Sequence, residues 1–240
     1  MKAQCWIIAF MLALLPMAAR AQEEIKVSGR VVDAAGKPVA KAEIATFWST
    51  MKEKLTAYNG VTTDAEGRFT KPVTFYGRGE ALFALDKDRK TGGLIVIEPK
   101  DAAKTVEIKL APLVHLHGKF ECKELNKPLK WTNVYLLSGQ ARFAMCSSEE
   151  ASFSFLLPPG TYKMWAYGTD IQDLKKDITL KSEEREVDLK TIDMPATIIA
   201  RHKGKAPPAW HVTDARGVKK DVNISDFKGK WVLLEFWGYW

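Results

Sequence analysis

The sequence predicts a mainly β protein, with one or two antiparallel β-sandwich domains followed by an incomplete α/β segment. Short runs in which apolar and polar residues alternate, as in half-buried strands, recur from Ile25 onward. Turn sequences rich in Gly, Pro and Asp separate these runs. No amphipathic helix of useful length occurs between Glu23 and Pro112, so a sandwich is the architecture that this pattern favours.

The first segment, residues 1–21, has the pattern of a signal peptide. Lys2 precedes an apolar stretch from Trp6 to Leu15, and Ala19-Arg20-Ala21 matches the A-x-A exit of a cleavage site. A membrane anchor is the alternative, but the stretch falls short of the roughly 18 to 20 apolar residues that a spanning helix needs. We therefore expect an exported protein, periplasmic or extracellular, with membrane contact only through this segment if it stays uncleaved.

The net charge bears on nucleic-acid binding, and the cysteine content bears on disulfide formation. The formal net charge is +7, but no Lys/Arg stripe with interleaved aromatic residues occurs, so no nucleic-acid partner is expected. Cys5 lies in the signal segment, which leaves Cys122 and Cys146. An oxidising compartment favours a structural disulfide between these two, with two separate buried thiols as the alternative. A catalytic pair is not expected, because they form no Cys-x-x-Cys motif.

The second segment, residues 22–112, begins with an alternating strand at Ile25–Val32, a turn at Asp33–Pro38 and a second strand at Val39–Trp48. Its motif residues are Gly29, Val31, Asp33, Gly36, Pro38 and Val39, followed by Thr63, Asp64, Gly67 and Phe69. This set resembles the carboxypeptidase regulatory-like domain, a transthyretin-like sandwich of seven strands. The resemblance implies an accessory module without peptidase chemistry of its own.

The third segment, residues 113–195, repeats parts of this pattern, since Gly118-Lys119-Phe120 echoes Gly29-Arg30-Val31. Pro158-Pro159-Gly160-Thr161-Tyr162 is similar to the end of the same sandwich family. We therefore predict a second, diverged β-sandwich, with one larger β domain as the alternative. Residues 175–185, charged with alternating apolar positions, predict an edge hairpin.

No metal site is expected from the sequence. Asp33, Asp64 and Glu66 could be calcium ligands, but each lies alone in a turn, where Asp usually bonds its own backbone. His115 and His117 would lie on one face of a strand, but their spacing supplies no third or fourth ligand. A solvated sheet face is the simpler interpretation.

Three aromatic residues of the third segment have two interpretations. Trp131, Trp165 and Tyr167 could line a groove for sugar or peptide, although aromatic residues in sandwiches are more often part of the core.

The last segment, residues 196–240, has an extended Pro-rich lead-in, a turn at Asp214–Gly217, a Ser225 N-cap and an apolar strand at Trp231–Trp237. The matching residues are Gly204 to Pro208, Trp210, Asp214 to Gly217, Ser225 to Lys230 and Val232 to Trp240. They resemble the start of a redoxin-type thioredoxin-like domain, as in the alkyl hydroperoxide reductase/thiol-specific antioxidant and TlpA-like proteins. Ile198-Ile199 is expected to begin its first strand.

This resemblance implies a thiol–disulfide oxidoreductase, but the Cys-x-x-Cys that would follow Trp240 is absent from the chain. We expect this chain to be the amino-terminal portion of such an exported enzyme. By itself it should be inactive, and we expect it to contain no catalytic residue and no cofactor. Its partners would be disulfide-bearing envelope proteins, bound through the missing redox domain. The alternative is a secreted, non-catalytic β-sandwich module that binds carbohydrate, peptide or a partner protein.

Overall fold

The computed structural model describes residues 23–52, 54–206, 209, 214–233 and 235. The predicted signal peptide, the predicted strand at Trp210–Thr213 and the closing residues 236–240 lie outside this part of the chain. The described residues are mainly β, and strands from several sheets pack as sandwiches, as the sequence predicts. None of the helices among them is long and apolar enough to cross a membrane.

Seventeen strands and one short helix make up the regular structure of these residues. The strands of the first half are β1 (Glu23–Val32), β2 (Glu43–Ala45), β3 (Phe47–Met51), β4 (Lys54–Tyr58), β5 (Val61–Thr62), β6 (Arg68–Phe75), β7 (Glu80–Leu85), β8 (Thr91–Ile97), β9 (Val106–Lys109) and β10 (Ala111–Pro112). The second half contributes β11 (Val114–Glu121), β12 (Thr132–Ser138), β13 (Ala141–Ser148), β14 (Ser152–Leu157), β15 (Gly160–Gly168), β16 (Ile171–Leu180), β17 (Glu186–Asp193) and the helix α1 (Ile198–His202). Three 3₁₀ turns lie at Pro99–Asp101, Lys123–Leu125 and Ile224–Phe227.

The strands form two successive sandwiches with two apolar cores, and the second core also contains β7 side chains such as Phe83 and Leu85. In the first, the sheet β6-β1-β9 packs against the sheet β10-β8-β7-β2-β5, and Val27, Phe69 and Leu82 are part of the core between them. In the second, the sheet β14-β11-β17 packs against the six-stranded sheet β16-β15-β12-β13-β3-β4. Leu116 and Phe143 lie in that second core, and both are fully buried.

The recurrence predicted from the glycine motifs is confirmed by the strand pairing. β1 pairs antiparallel with β6 and parallel with β9. β11 pairs in the same way, antiparallel with β14 and parallel with β17. The two halves of the chain thus repeat one topology, with a central strand flanked by an antiparallel and a parallel neighbour.

The predicted strand at Val39–Trp48 is wrong in extent, because two strands, β2 and β3, share this stretch and belong to different sheets. β2 pairs with β7 in the first sandwich, whereas β3 runs parallel to β13 in the second. The Trp48 side chain is buried in the second core, and its Nε1 donates a hydrogen bond to the Phe83 carbonyl at 3.0 Å. β3 and β4 precede residue 112 in the chain but complete a sheet of the second sandwich. The division of the chain into domains at residue 112 stays a prediction.

Two expectations about the connections are corrected by the structure. β16 and β17 do not pair as a hairpin: β16 lies at the edge of the six-stranded sheet and β17 at the edge of the three-stranded sheet. Their connection therefore crosses between the two layers. Ile198-Ile199 begins the helix α1 and not a strand, because Thr197 caps the helix by accepting a hydrogen bond from the Ala200 amide.

After α1, the last segment has little regular structure among its described residues. A single 3₁₀ turn forms at Ile224–Phe227, and its N-cap is Asn223, not Ser225. Trp231 and Leu233 lie outside any strand and are 103% and 93% exposed. The predicted buried strand at Trp231–Trp237 is therefore wrong for the described residues 231–233 and 235, and the rest of it lies outside them.

Candidate functional site

The outer surface of the six-stranded sheet carries a group of aromatic side chains. Along β15, Tyr162, Met164 and Ala166 are buried, so the alternate residues Trp165 and Tyr167 point to the opposite side. β12 pairs with β15 in a register that sets Tyr135 opposite Trp165. We call this surface the aromatic face; its rings are Phe47, Trp131, Tyr135, Trp165 and Tyr167.

The rings of the aromatic face contact one another in a continuous strip. The Trp131 and Tyr167 centroids lie 5.7 Å apart, and those of Tyr167 and Tyr135 lie 6.0 Å apart with the ring planes inclined by 14°. Trp165 lies 5.5 Å from Tyr167 and 5.8 Å from Tyr135. Phe47 extends the strip at 6.4 Å from Tyr135. All five are only half-buried, so part of this apolar surface is open to solvent.

Two cations and a carboxylate border the strip. The Arg142 guanidinium carbon lies 4.2 Å from the Tyr135 centroid and 5.3 Å from that of Trp165. Lys175 Nζ lies 5.9 Å from the Trp165 centroid, and Trp165 Nε1 donates a 2.9 Å hydrogen bond to Asp173. Burial and the neighbouring Tyr167 raise the pKa of Tyr135, so its hydroxyl stays protonated through the neutral range. These contacts fix the ring orientations without covering the strip with other apolar residues.

Two buried polar atoms beside the strip have no hydrogen-bond partner among the described residues. Asn133 donates through Nδ2 to the Tyr167 hydroxyl at 3.1 Å, but its Oδ1 is unpaired. The Nε of Arg142 is also unpaired. Because both atoms are buried, they are closed to a ligand on the strip, and the polar groups open to a ligand are the exposed Asp173 and Lys175. A flat aromatic surface with such a border suits a ligand with both apolar and hydroxyl-bearing parts.

The structure brings together the three aromatic residues singled out in the sequence. Trp131, Trp165 and Tyr167 lie on the aromatic face and outside the buried core. Tyr135 and Arg142 were not predicted from the sequence. The alternation of buried and exposed positions along β12 could have indicated Tyr135, whereas Arg142 reaches the rings only because the β12–β13 register shifts after Leu136.

His115 and His117 also lie side by side, as strand geometry predicts, with ring centroids 4.6 Å apart. The neighbouring strand β17 adds Glu186 and Asp188, which sequence spacing had not indicated. His117, Ser154, Asp188 and Lys190 are among the residues that line an open groove of about 1100 Å³.

The other candidate residues lie apart from these two places. Asp33 Oδ1 accepts hydrogen bonds from the Ala35 and Lys37 amides. Asp64 Oδ1 does the same for Glu66 and Arg68, and its Oδ2 pairs with the Arg68 side chain at 2.9 Å. The interpretation of these aspartates as turn residues is therefore confirmed.

Cys122 and Cys146 are both buried and both free thiols in the structure. Burial raises the pKa of the Cys146 thiol, which keeps it protonated and unreactive. A disulfide between them stays a prediction.

No protein-family model and no curated protein matches the chain. Among solved structures, similarity extends to the Bacillus anthracis TIE protein, with 9% identity, 72% of this chain covered and a TM-score of 0.33. The match spans only 34% of the TIE protein. The Streptococcal ancillary pilin is similar at 13% identity, over 73% of this chain and 63% of the pilin, with a TM-score of 0.31. The shaft pilin SpaA from Lactobacillus rhamnosus GG is similar at 9% identity, over 73% of this chain and 98% of the pilin, with a TM-score of 0.29. TM-scores this low add nothing to the architecture derived from the strand pairing.

Proposed function

We propose that the chain is an exported, non-catalytic β-sandwich binding module whose aromatic face binds carbohydrate. The observation that carries this proposal is the strip from Trp131 through Tyr167 to Tyr135 and Trp165. It is half-exposed and bordered by the charged side chains of Arg142, Lys175 and Asp173. Contiguous exposed apolar surface with a polar rim commonly marks an interaction site.

A sugar fits this surface chemically. One face of a pyranose ring presents C–H groups that can lie flat on an aromatic ring, and its hydroxyl groups project from the ring edge. On the aromatic face, Tyr135 and Trp165 provide the flat surface, while the exposed side chains of Asp173 and Lys175 at its border can accept and donate hydrogen bonds.

A peptide fits less well. Peptides that add to a sheet need an unpaired strand edge, whereas β12 and β15 lie in the middle of the sheet and their backbone groups are paired on both sides.

The test is a panel of soluble polysaccharides and immobilised glycans, followed by calorimetric titration of the best binder. We expect Trp165→Ala and Tyr135→Ala each to weaken binding at least about tenfold, because aromatic anchors at binding sites typically contribute about 2 kcal/mol or more. Tyr76→Ala is the matched control, because Tyr76 is a 62% exposed aromatic residue outside the aromatic face. Unchanged affinity in both face variants, or binding of peptides only, would contradict the proposal.

The second candidate is the amino-terminal portion of a thiol–disulfide oxidoreductase, with disulfide-bearing envelope proteins as partners. It rests on the resemblance of residues 204–240 to redoxin-type domains. The resemblance would place Trp231 and Leu233 in a buried strand, but both are fully exposed in the structure. An insulin-reduction assay on this chain should show no turnover, and measurable turnover would refute the predicted inactivity.

A further inference from the structure

Two parallel strands bring imidazoles and carboxylates together on the outer side of the three-stranded sheet. His115 and His117 are two residues apart on β11 and therefore point to the same side. In the register of β11 and β17, His115 lies opposite Glu186 and His117 lies opposite Asp188. This surface is on the other sandwich layer from the aromatic face.

The spacing of the donor atoms is close to that of a metal site. One nitrogen from each imidazole and a Glu186 carboxylate oxygen all lie within 4.8 Å of one another. His117 Nε2 is 2.8 Å from Glu186 Oε1, and His115 Nδ1 is 4.0 Å from the same oxygen. The ligands of one tetrahedral zinc ion lie about 3.3 Å apart. Small rotations of the two imidazoles and of the Glu186 side chain, which is 65% exposed, would place all three donors around one ion.

The remaining imidazole nitrogens face groups that would orient the rings. His115 Nε2 lies 2.9 Å from Ser154 Oγ, and His117 Nδ1 lies 3.6 Å from Asp188 Oδ1. Metal-binding histidines almost always use the second ring nitrogen in this way, toward a carboxylate, a carbonyl or a similar acceptor. A simple surface ion pair between His117 and Glu186 would not need Ser154 or Asp188 as well.

Asp188 is itself held in place. Lys190 contacts it twice, through the backbone amide at 2.8 Å and through Nζ at 2.7 Å. Lys190 has a positive φ of 59°, at the point where the register between β11 and β17 shifts. Such bulges redirect side chains, and this one directs Asp188 toward His117.

We propose that His115, His117 and Glu186 bind a divalent transition-metal ion of the Zn²⁺ class, through His115 Nδ1, His117 Nε2 and Glu186 Oε1. Imidazole and carboxylate are ligands that suit Zn²⁺, and three protein ligands leave a fourth position open. The ion would replace the hydrogen bond between His117 and Glu186. Because the three ligand side chains are partly exposed and His117 lines the groove, the open position would be accessible to water or to an anionic or neutral ligand.

The experiment is a calorimetric titration of the full chain, purified with chelator, with ZnCl₂. We expect one zinc ion per chain with a dissociation constant in the micromolar range. Glu186→Gln keeps the shape of the side chain and removes the charged ligand, and should weaken binding at least about tenfold. His117→Ala should abolish binding. His202→Ala is the control, because His202 is an exposed imidazole in α1 outside the cluster, and its loss should leave zinc affinity unchanged.

Cobalt substitution gives a readout that nonspecific binding would not produce. Co²⁺ bound by these three residues and water should show the strong visible d–d absorption of a four-coordinate ion, many times that of hydrated Co²⁺, and the His117→Ala variant should lack this strong absorption. The proposal is overturned if the wild-type chain binds no zinc up to about millimolar concentration. It is also overturned if Glu186→Gln and His117→Ala bind as the wild type does. Glu186→Gln is nearly isosteric at an exposed position, so its effect can be measured even if His117→Ala does not fold.

Discussion

Gly29 and Gly118 occupy the same position in the two sandwiches, each on the central strand of a three-stranded sheet and opposite a phenylalanine. A Cβ on Gly29 would overlap the Val106 carbonyl oxygen and lie 2.9 Å from the Phe69 ring. A Cβ on Gly118 would lie 2.8 Å from the Phe153 ring and 3.0 Å from the Lys190 carbonyl oxygen. In both sheets the close approach of the parallel neighbour and the aromatic ring requires a residue without a side chain.

Alanine at either glycine should therefore destabilise the protein. We expect Gly118→Ala to lower the free energy of unfolding by about 1–3 kcal/mol, the usual cost of overpacking. Gly29→Ala should cost more, because its new Cβ would overlap the Val106 carbonyl oxygen, whereas a Cβ on Gly118 would lie 3.0 Å from the Lys190 carbonyl oxygen. Urea denaturation measures both. Gly139→Asn is the control, since Gly139 has a positive φ that Asn tolerates and open space around it; equal stability losses in all three variants would refute the explanation.

Trp48 joins the two halves of the chain, because it sits on β3 in the sheet of the second sandwich and donates to Phe83 of β7. Trp48→Ala should reduce the free energy of unfolding by about 3–5 kcal/mol, as expected for a large buried aromatic side chain. Trp48→Phe keeps most of the packing and should lose less, mainly through the unpaired Phe83 carbonyl. Thermal unfolding followed by circular dichroism tests this order, and a Phe variant as unstable as the Ala variant would contradict it.

Glu80 is a buried carboxylate whose Oε1 has no hydrogen-bond partner among the described residues, with Arg78 Nε 3.8 Å away. Burial raises its pKa above the ordinary glutamate value, and Arg78 offsets this only in part. Because the folded state then favours the protonated form, stability should fall as pH rises from the unfolded-state pKa through the raised folded-state value.

Glu80→Gln should remove this pH dependence and raise the free energy of unfolding at neutral pH by about 1 kcal/mol. Denaturation curves at several pH values between about 4 and 8 measure it. A variant less stable than wild type at neutral pH would show that the charge is favourable where it lies.

Cys146 should react slowly with alkylating reagents in the folded protein, because it is buried and its pKa is raised. Mass spectrometry after labelling in native buffer tests this, with the unfolded, reduced chain as the fully labelled reference. Labelling after unfolding without reductant also decides the pairing with Cys122. A disulfide leaves both residues unlabelled, and two labelled residues in exported protein would exclude it.

Much of the fold follows from local pattern. The alternation of apolar and polar residues along Ile25–Val32 predicts a strand, because the side-chain period of a strand is a local property. Asp33 and Asp64 predict turns, because each accepts hydrogen bonds from backbone amides a few residues further along the chain. The recurrence of Gly29 at Gly118 determined the repeat. The expected strand at Trp231–Leu233 failed because an apolar run indicates burial only where other strands pack against it, and here those residues are exposed.

Only the tertiary structure decided which of these residues meet. Three of these contacts depend on the pairing and register of strands from distant parts of the chain. β3 pairs with β13 of the second sandwich, Tyr135 lies beside Trp165, and Glu186 contacts His117. Register is set by how whole sheets bury their apolar sides and by bulges such as the one at Lys190. Local sequence indicates which side of a strand a residue occupies, whereas its neighbours on that side are determined by the packing of the complete sandwich.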